Sequence, residues 1–165
     1  MSRIAIVSKP QKDELVRLLP ELIAWLRERA YEPLLDDESA CYTSDAPAVP
    51  RAELPRYSPE LVIVLGGDGT LLSVGRIFAA TGIPLLSANL GTLGFLTEVR
   101  LSELYPTLDG WCQNCHMIEK RSMLRAQLLR DGALHSEYDA LNDVVVTRAR
   151  SPVWATSRSN SMARP

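Results

Sequence analysis

Nothing in the sequence supplies a long apolar run, an excess of positive charge or a cysteine framework. Its 18 Lys and Arg stand against 20 Asp and Glu, a formal net charge of -2, which excludes a strongly basic nucleic-acid surface. No segment has the sustained apolar character of a membrane span. The opening residues, MSRIAIVSKPQKDE, turn polar after a short apolar stretch and lack the core of a secretory signal. The three cysteines, Cys41, Cys112 and Cys115, are an odd number, so reduced thiols and a cytoplasmic location are expected instead of disulfides. No internal repeat or low-complexity segment precedes residue 149.

What remains is ordinary globular composition: 165 residues, 23% charged and 46% hydrophobic, enough for one domain or one domain and part of a second. Ile4 to Val7 reads as a strand, and Leu15, Leu18, Leu19, Leu22, Ile23 and Leu26 recur at helical spacing. Pro20 is expected to kink that helix or to start a new one. Glu32 to Leu35 reads as a second strand, and residues 36–60, with four prolines, as a long irregular connection. In that connection Asp36-Asp37 is expected to be a solvated turn.

Leu61 to Leu65 is a continuous apolar run of the kind that fills a parallel sheet. A helix over Leu71 to Ala80, a strand over Ile83 to Ser87 and a helix near Leu101 to Leu108 follow. The alternation predicts a doubly wound, Rossmann-like parallel α/β layer. From about Met117 the pattern changes to antiparallel β: Leu124 to Leu129, a turn at Asp131-Gly132, and a run from Leu141 to Thr147.

Between the run Leu61 to Leu65 and the next helix lies Gly66-Gly67-Asp68-Gly69-Thr70. Glycines after a strand and before a helix let backbone approach a ligand, and a helix start offers free N–H groups and a positive dipole end. Neither the Gly-Lys-Ser/Thr ending of a P-loop nor the third small residue of the dinucleotide fingerprint is present. A carboxylate beside phosphate oxygens would be repelled unless it works for the reaction. Asp68 is therefore expected either to take a proton from an attacking hydroxyl or to help hold a magnesium ion, both parts of phosphoryl transfer. The bland alternative is a tight turn in which Asp68 caps the helix.

Cys112-Gln113-Asn114-Cys115-His116 has the spacing of a haem attachment site, but export is not expected, and with His135 it fits no standard zinc spacing. A surface connection is expected there, with Trp111 and Met117 as packing residues.

Three blocks in order, GGDGT at Gly66 to Thr70, NLGTLGFLTE at Asn89 to Glu98 and ALNDVVVTR at Ala140 to Arg148, resemble the NAD kinases. The opening IAIVSKP is also similar, so the resemblance covers about residues 1–148. Diacylglycerol, sphingosine and phosphofructokinases share the first block, but neither the Gly-x-Gly-Asn-Asp nor the Thr-Ile-Asp-Asn-Asp pattern accompanies it. The resemblance implies a Rossmann-like domain over 1–117 and the incomplete start of a β-rich domain over 118–148. It implies phosphorylation of the adenosine-ribose 2′-hydroxyl of NAD by ATP or polyphosphate with Mg2+, in a family homo-oligomer without nucleic-acid or membrane partners. Asp68 would be the general base with Gly69 beside it, Gly66, Gly67 and Thr70 would shape the phosphate loop, and Asn89 would line the cleft. Asn142 and Asp143 would contact NAD, though they also read as a strand-entry turn. No protein metal ligands are assigned.

The family continues into a second domain with a Gly-Ser-Thr-Ala-Tyr-like segment. Residues 149–165 instead carry four serines, three arginines and no acid, and are expected to be an aberrant, disordered tail from a frameshift after Arg148. The β segments ahead of it would then expose apolar faces and unpaired edges, and a non-catalytic nucleotide-binding remnant is the rival to an active kinase.

Overall fold

The computed structural model describes residues 1–146 apart from Leu93, Glu98 and Asn142. The expectations for Asn142 and for the tail 149–165 thus lie outside the described residues. Two compact units are distinguished, the first Met1–Ile118 and the second starting at Glu119.

In the first unit, strands β1 (Ser2–Ser8), β2 (Tyr31–Asp36), β3 (Ala48–Val49), β4 (Leu61–Leu65), β5 (Leu85–Asn89) and β6 (Val99–Arg100) form one sheet in the order β3-β2-β1-β4-β5-β6. Every pairing is parallel. Parallel strands require crossovers that cover both faces, and the central strands are apolar at consecutive positions for that reason. Ile4, Ile6, Leu61, Ile63 and Leu65 point to one face, while Ala5, Val7, Val62 and Val64 point to the other, all buried.

Helices α1 (Leu15–Glu28) and α3 (Leu104–Cys112) cover the first face, and α2 (Asp68–Phe78) covers the second through Leu71, Val74 and Phe78. Helix α1 runs through Pro20 without starting anew. An interior proline costs roughly 3 kcal/mol, but the six apolar residues of α1's inner stripe, Leu15 to Leu26, are all buried against the sheet and hold the helix together.

The connection over 36–60 is more regular than its prolines suggest. It contains 3-10 turns at Ser39–Cys41 and Arg51–Tyr57 and the two-residue edge strand β3, and Leu54 is buried under the second face. Asp36 is fully buried as the last residue of β2, not a solvated turn. Helix α2 begins at Asp68, three residues before the apolar pattern does.

The second unit contains the hairpin β7 (Leu124–Arg130) and β8 (Ala133–Ala140). Asp131 and Gly132 both have positive φ, 51° and 78°, which suits the mirror-image two-residue turn favoured by twisted hairpins. That tight turn places the second strand directly after it, not at the later apolar run, and residues 143–146 are outside any strand. Leu128, Leu129, Leu134 and Tyr138 are exposed, because two strands alone cannot bury a face.

Leu22 lies fully buried in the face covered by α1. Leu22→Ala is expected to destabilise the first unit by about 2–5 kcal/mol, read from urea unfolding followed by far-ultraviolet circular dichroism.

Candidate functional site

The strand order reverses between β1 and β4, and in open parallel sheets the crevice outside the carboxyl ends of strands at such a point is where ligands bind. The glycine turn leaves β4 at this place. Gly66 N–H donates to Ala88 O at 3.0 Å, tying the turn to β5, while Thr70 and Leu71 N–H both donate to Gly67 O and start α2.

Asp68 is the first residue of α2, after the N-cap Gly67, and its carboxylate bonds to residues 95–97 instead of the helix's own N–H groups, so the capping alternative fails. Its carboxylate reaches the loop after β5. Oδ2 accepts the Phe95 N–H at 2.9 Å, and Oδ1 accepts the Leu96 N–H at 3.2 Å, the Thr97 N–H at 3.1 Å and the Thr97 hydroxyl at 3.0 Å. Partial desolvation pushes the Asp68 pKa up, but the hydrogen bonds from Phe95, Thr97 and Leu96 outweigh it and hold the carboxyl below its ordinary 3.8.

Asn89 belongs to the same lattice. Its amide donates to Thr92 O and Thr97 Oγ1, and its oxygen accepts the Gly91 N–H. Buried at the end of β5, Asn89 orders the loop and does not line the cleft. The glycines divide by role. A side chain at Gly66 would meet Thr70 and one at Gly94 would overlap Asp68, whereas Gly67 and Gly69 face open space. The first two are required by the protein's own side chains, the other two leave room for a ligand.

A cleft of about 290 Å³ lies beside the turn, lined by Lys9, Arg51, Gly67, Gly69, Thr70 and Ser73. Asp68 faces the loop after β5 and is not among the lining residues. Lys9 follows β1 directly, its N–H donating to Leu65 O at 2.9 Å. Arg51 is carried in by the buried Asp36, whose Oδ2 accepts Arg51 Nε at 2.8 Å and lies 2.6 Å from Nη2. Arg51 Nη2 also donates to Ser8 O at 3.0 Å, and Asp36 Oδ1 accepts the Ser39 N–H.

Sequence reasoning missed Lys9, Arg51 and Ser73. Lys9 had a usable signal, a basic residue at the exit of the first strand. Of the expected site residues, Gly66, Gly67, Asp68, Gly69, Thr70 and Asn89 converge at this end of the sheet. Asp143 is exposed in the second unit.

Cys112 closes α3, and the described Cys, His and carboxylate side chains form no group of three that could hold a metal. His116 stacks on Trp111, whose Nε1 donates to Glu60. Met117 is 99% exposed, a correction to its expected packing role, since nothing on the first unit's surface covers it.

Residues 51–114 match the family described as the ATP-NAD kinase N-terminal domain. An NAD kinase of Acidobacterium capsulatum is 63% identical over 148 residues, covering 90% of this chain and 52% of that protein. The chain spans about half the length of the curated relatives it matches. Among solved structures, yeast NADH kinase complexed with NADH superposes with a TM-score of 0.69 at 21% identity, over 87% of this chain and 47% of the other. An NAD kinase from Archaeoglobus fulgidus in complex with ATP gives 0.55 at 19% identity, over 80% and 45%. At those identities the structural likeness establishes the fold.

Gly94→Ala is expected to cost about 1–3 kcal/mol in thermal or urea unfolding by crowding Asp68. Gly69→Ala, in open space on a helix, should be neutral or stabilising by up to about 1 kcal/mol. Because the folded pKa of Asp68 is depressed, its contribution is complete above the unfolded carboxylate value and is lost as pH falls through the lower folded one. The Phe95, Leu96 and Thr97 amide resonances should therefore titrate with a midpoint below 3.8, read by pH-dependent NMR.

Proposed function

Because the chain belongs to the NAD kinase family, we propose that it serves phosphorylation of NAD at the adenosine-ribose 2′-hydroxyl, with ATP or polyphosphate as donor. The observation that carries the reading is the arrangement of the glycine turn at the sheet's reversal point. It presents open backbone at Gly67 and Gly69 and, one residue between them, a fixed carboxylate.

In the transfer the 2′-oxygen forms a bond to the terminal phosphorus as the bond to the donor's remaining phosphates breaks, and the hydroxyl proton passes to Asp68. A depressed pKa makes Asp68 a weak base. Phosphoryl transfer through a loose transition state asks little of base strength and much of orientation, so the main work of the carboxylate is to accept the hydroxyl's hydrogen bond and aim its oxygen. For that, the hydroxyl has to share or replace one of the loop donors now on Asp68. The N–H groups at the start of α2 favour the charge on the transferred group.

By the family resemblance, Asn142 and Asp143 contact NAD; Asn89, which the resemblance places in the cleft lining, acts in this proposal through the loop it orders. Among the described residues no three His, Cys, Asp or Glu side chains gather to hold a metal. Mg2+, which keeps most of its waters and favours phosphate oxygens, belongs with the donor. A cytoplasmic homo-oligomer is part of the same proposal. Among the described residues no helix is long and apolar enough to cross a membrane.

A second reading is nucleotide binding without turnover. The exposed apolar side chains of β7 and β8 are the observation that favours it.

NADP formation from NAD with Mg-ATP or polyphosphate, coupled to an NADP-specific dehydrogenase, tests both. Diacylglycerol and fructose 6-phosphate serve as competing acceptors. Activity on NAD alone is expected, with Asp68→Asn lowering turnover by about 100-fold or more and leaving donor binding largely intact. Near-normal turnover by that variant would remove Asp68 from the reaction. Calorimetric binding of NAD and ATP without any product would favour the second reading.

A further inference from the structure

Two basic side chains reach one cleft from separate strands. Lys9 stands at the exit of β1, is exposed, and has no side-chain partner among the described residues. Arg51 arrives from the turn after β3, 42 positions later in the chain, and lines the same space. Opposite them are the open faces of Gly67 and Gly69 and the polar residues Thr70 and Ser73.

One purpose of Arg51 is to neutralise the buried Asp36. Its geometry goes further. Nε and Nη2 are spent on Asp36 Oδ2 and Ser8 O, which fixes the guanidinium plane. A guanidinium carries five donors, and the two on Nη1 have no partner among the described residues. A charged group pinned along one edge and open along the other is prepared to donate to an anion at little further entropic cost. Lys9 adds a second, mobile positive charge.

We propose that Lys9 and Arg51 form the subsite that grips the linked phosphates of the phosphoryl donor, with Asp36 as the positioning residue for Arg51. The inference rests on the kinase reading for the word donor, and on the cleft alone for the preference for a phosphate chain. Arg51 supplies a directional, planar contact, and Lys9 a point charge that follows the chain along the cleft. Asp68 faces the loop after β5 and does not line the space assigned to the phosphate chain, so the repulsion a carboxylate imposes falls on the transferred phosphate alone and not on the rest of the chain.

The test is calorimetric titration of the whole chain with tripolyphosphate, with ATP and with NAD as competitors. Lys9→Gln and Arg51→Lys are each expected to weaken tripolyphosphate binding by about tenfold, and Lys120→Gln, a charge change in the second unit, to leave it unaltered. Arg51→Lys keeps a cation beside Asp36, so its fold is checked by an unfolding temperature close to the parent's. ATP should displace tripolyphosphate, and NAD should not.

Unchanged affinity in both variants, no tripolyphosphate binding by the parent, or displacement by NAD in place of ATP would each overturn the assignment. Two outcomes separate the subsite from the kinase activity. Lys9-dependent tripolyphosphate binding without NADP formation supports the phosphate subsite and counts against the kinase. NADP formation with phosphate binding indifferent to Lys9 and Arg51 does the reverse.

Discussion

One carboxylate joins the two loops on which the site is built. Asp68 leaves the turn after β4 and takes three backbone N–H groups and a hydroxyl from the segment after β5. Beyond the Gly66 N–H bond to Ala88 O, which ties the turn to β5, these bonds are what fixes the two loops against each other. Charge-assisted bonds are about twice as strong as neutral ones, and four of them, three from backbone N–H groups and one from a hydroxyl, converge on one group. Gly94 is a glycine because this carboxylate occupies the place of its side chain, and Asn89 and Thr97 complete the lattice from the end of β5. The orientation of the glycine turn, and with it the open faces of Gly67 and Gly69, follows from that junction.

A second charged junction holds the opposite wall of the cleft. The buried Asp36 and the half-sheltered Arg51 pair across the end of the sheet, and a buried carboxylate left alone would be strongly unfavourable. The two junctions differ in kind. Asp68 is a carboxylate satisfied by neutral backbone, so its charge is available to a polar group that approaches it. Asp36 is a carboxylate satisfied by a cation and by the Ser39 N–H, so its charge is consumed locally and what it delivers is the direction of Arg51.

The parts of this architecture that depend on local pattern were legible in the sequence. The apolar runs of β1 and β4 and the inner stripe of α1 specify buried parallel strands under a helix, and the glycine turn marks the passage from β4 to α2. What was hidden depends on pairs far apart in sequence. Nothing near Arg51 announces that it will meet Asp36 fifteen positions earlier, and an acid in a proline-rich connection reads as solvated until β2 is seen to bury it. Asp68 stands out in the sequence as a carboxylate expected to serve phosphoryl transfer, but its four donors come from Phe95 to Thr97. Its depressed pKa and the direction it faces could only come from the fold. The start of α2 was read late because Asp68, Gly69 and Thr70 carry no apolar signal, and the second hairpin strand was read late because β8 is mostly polar.

The parallel ladder between β1 and β4 has a mechanical consequence. Five residue pairs, Ile4 with Leu61 through Ser8 with Leu65, lie in the buried centre of the sheet, and the cleft straddles their far end. The spacing of the two strands beneath it, about 4.8 Å, is held by the hydrogen bonds of that ladder. Adaptation to guests of different bulk falls to the side chains on the rim, while the floor acts as a rigid gauge.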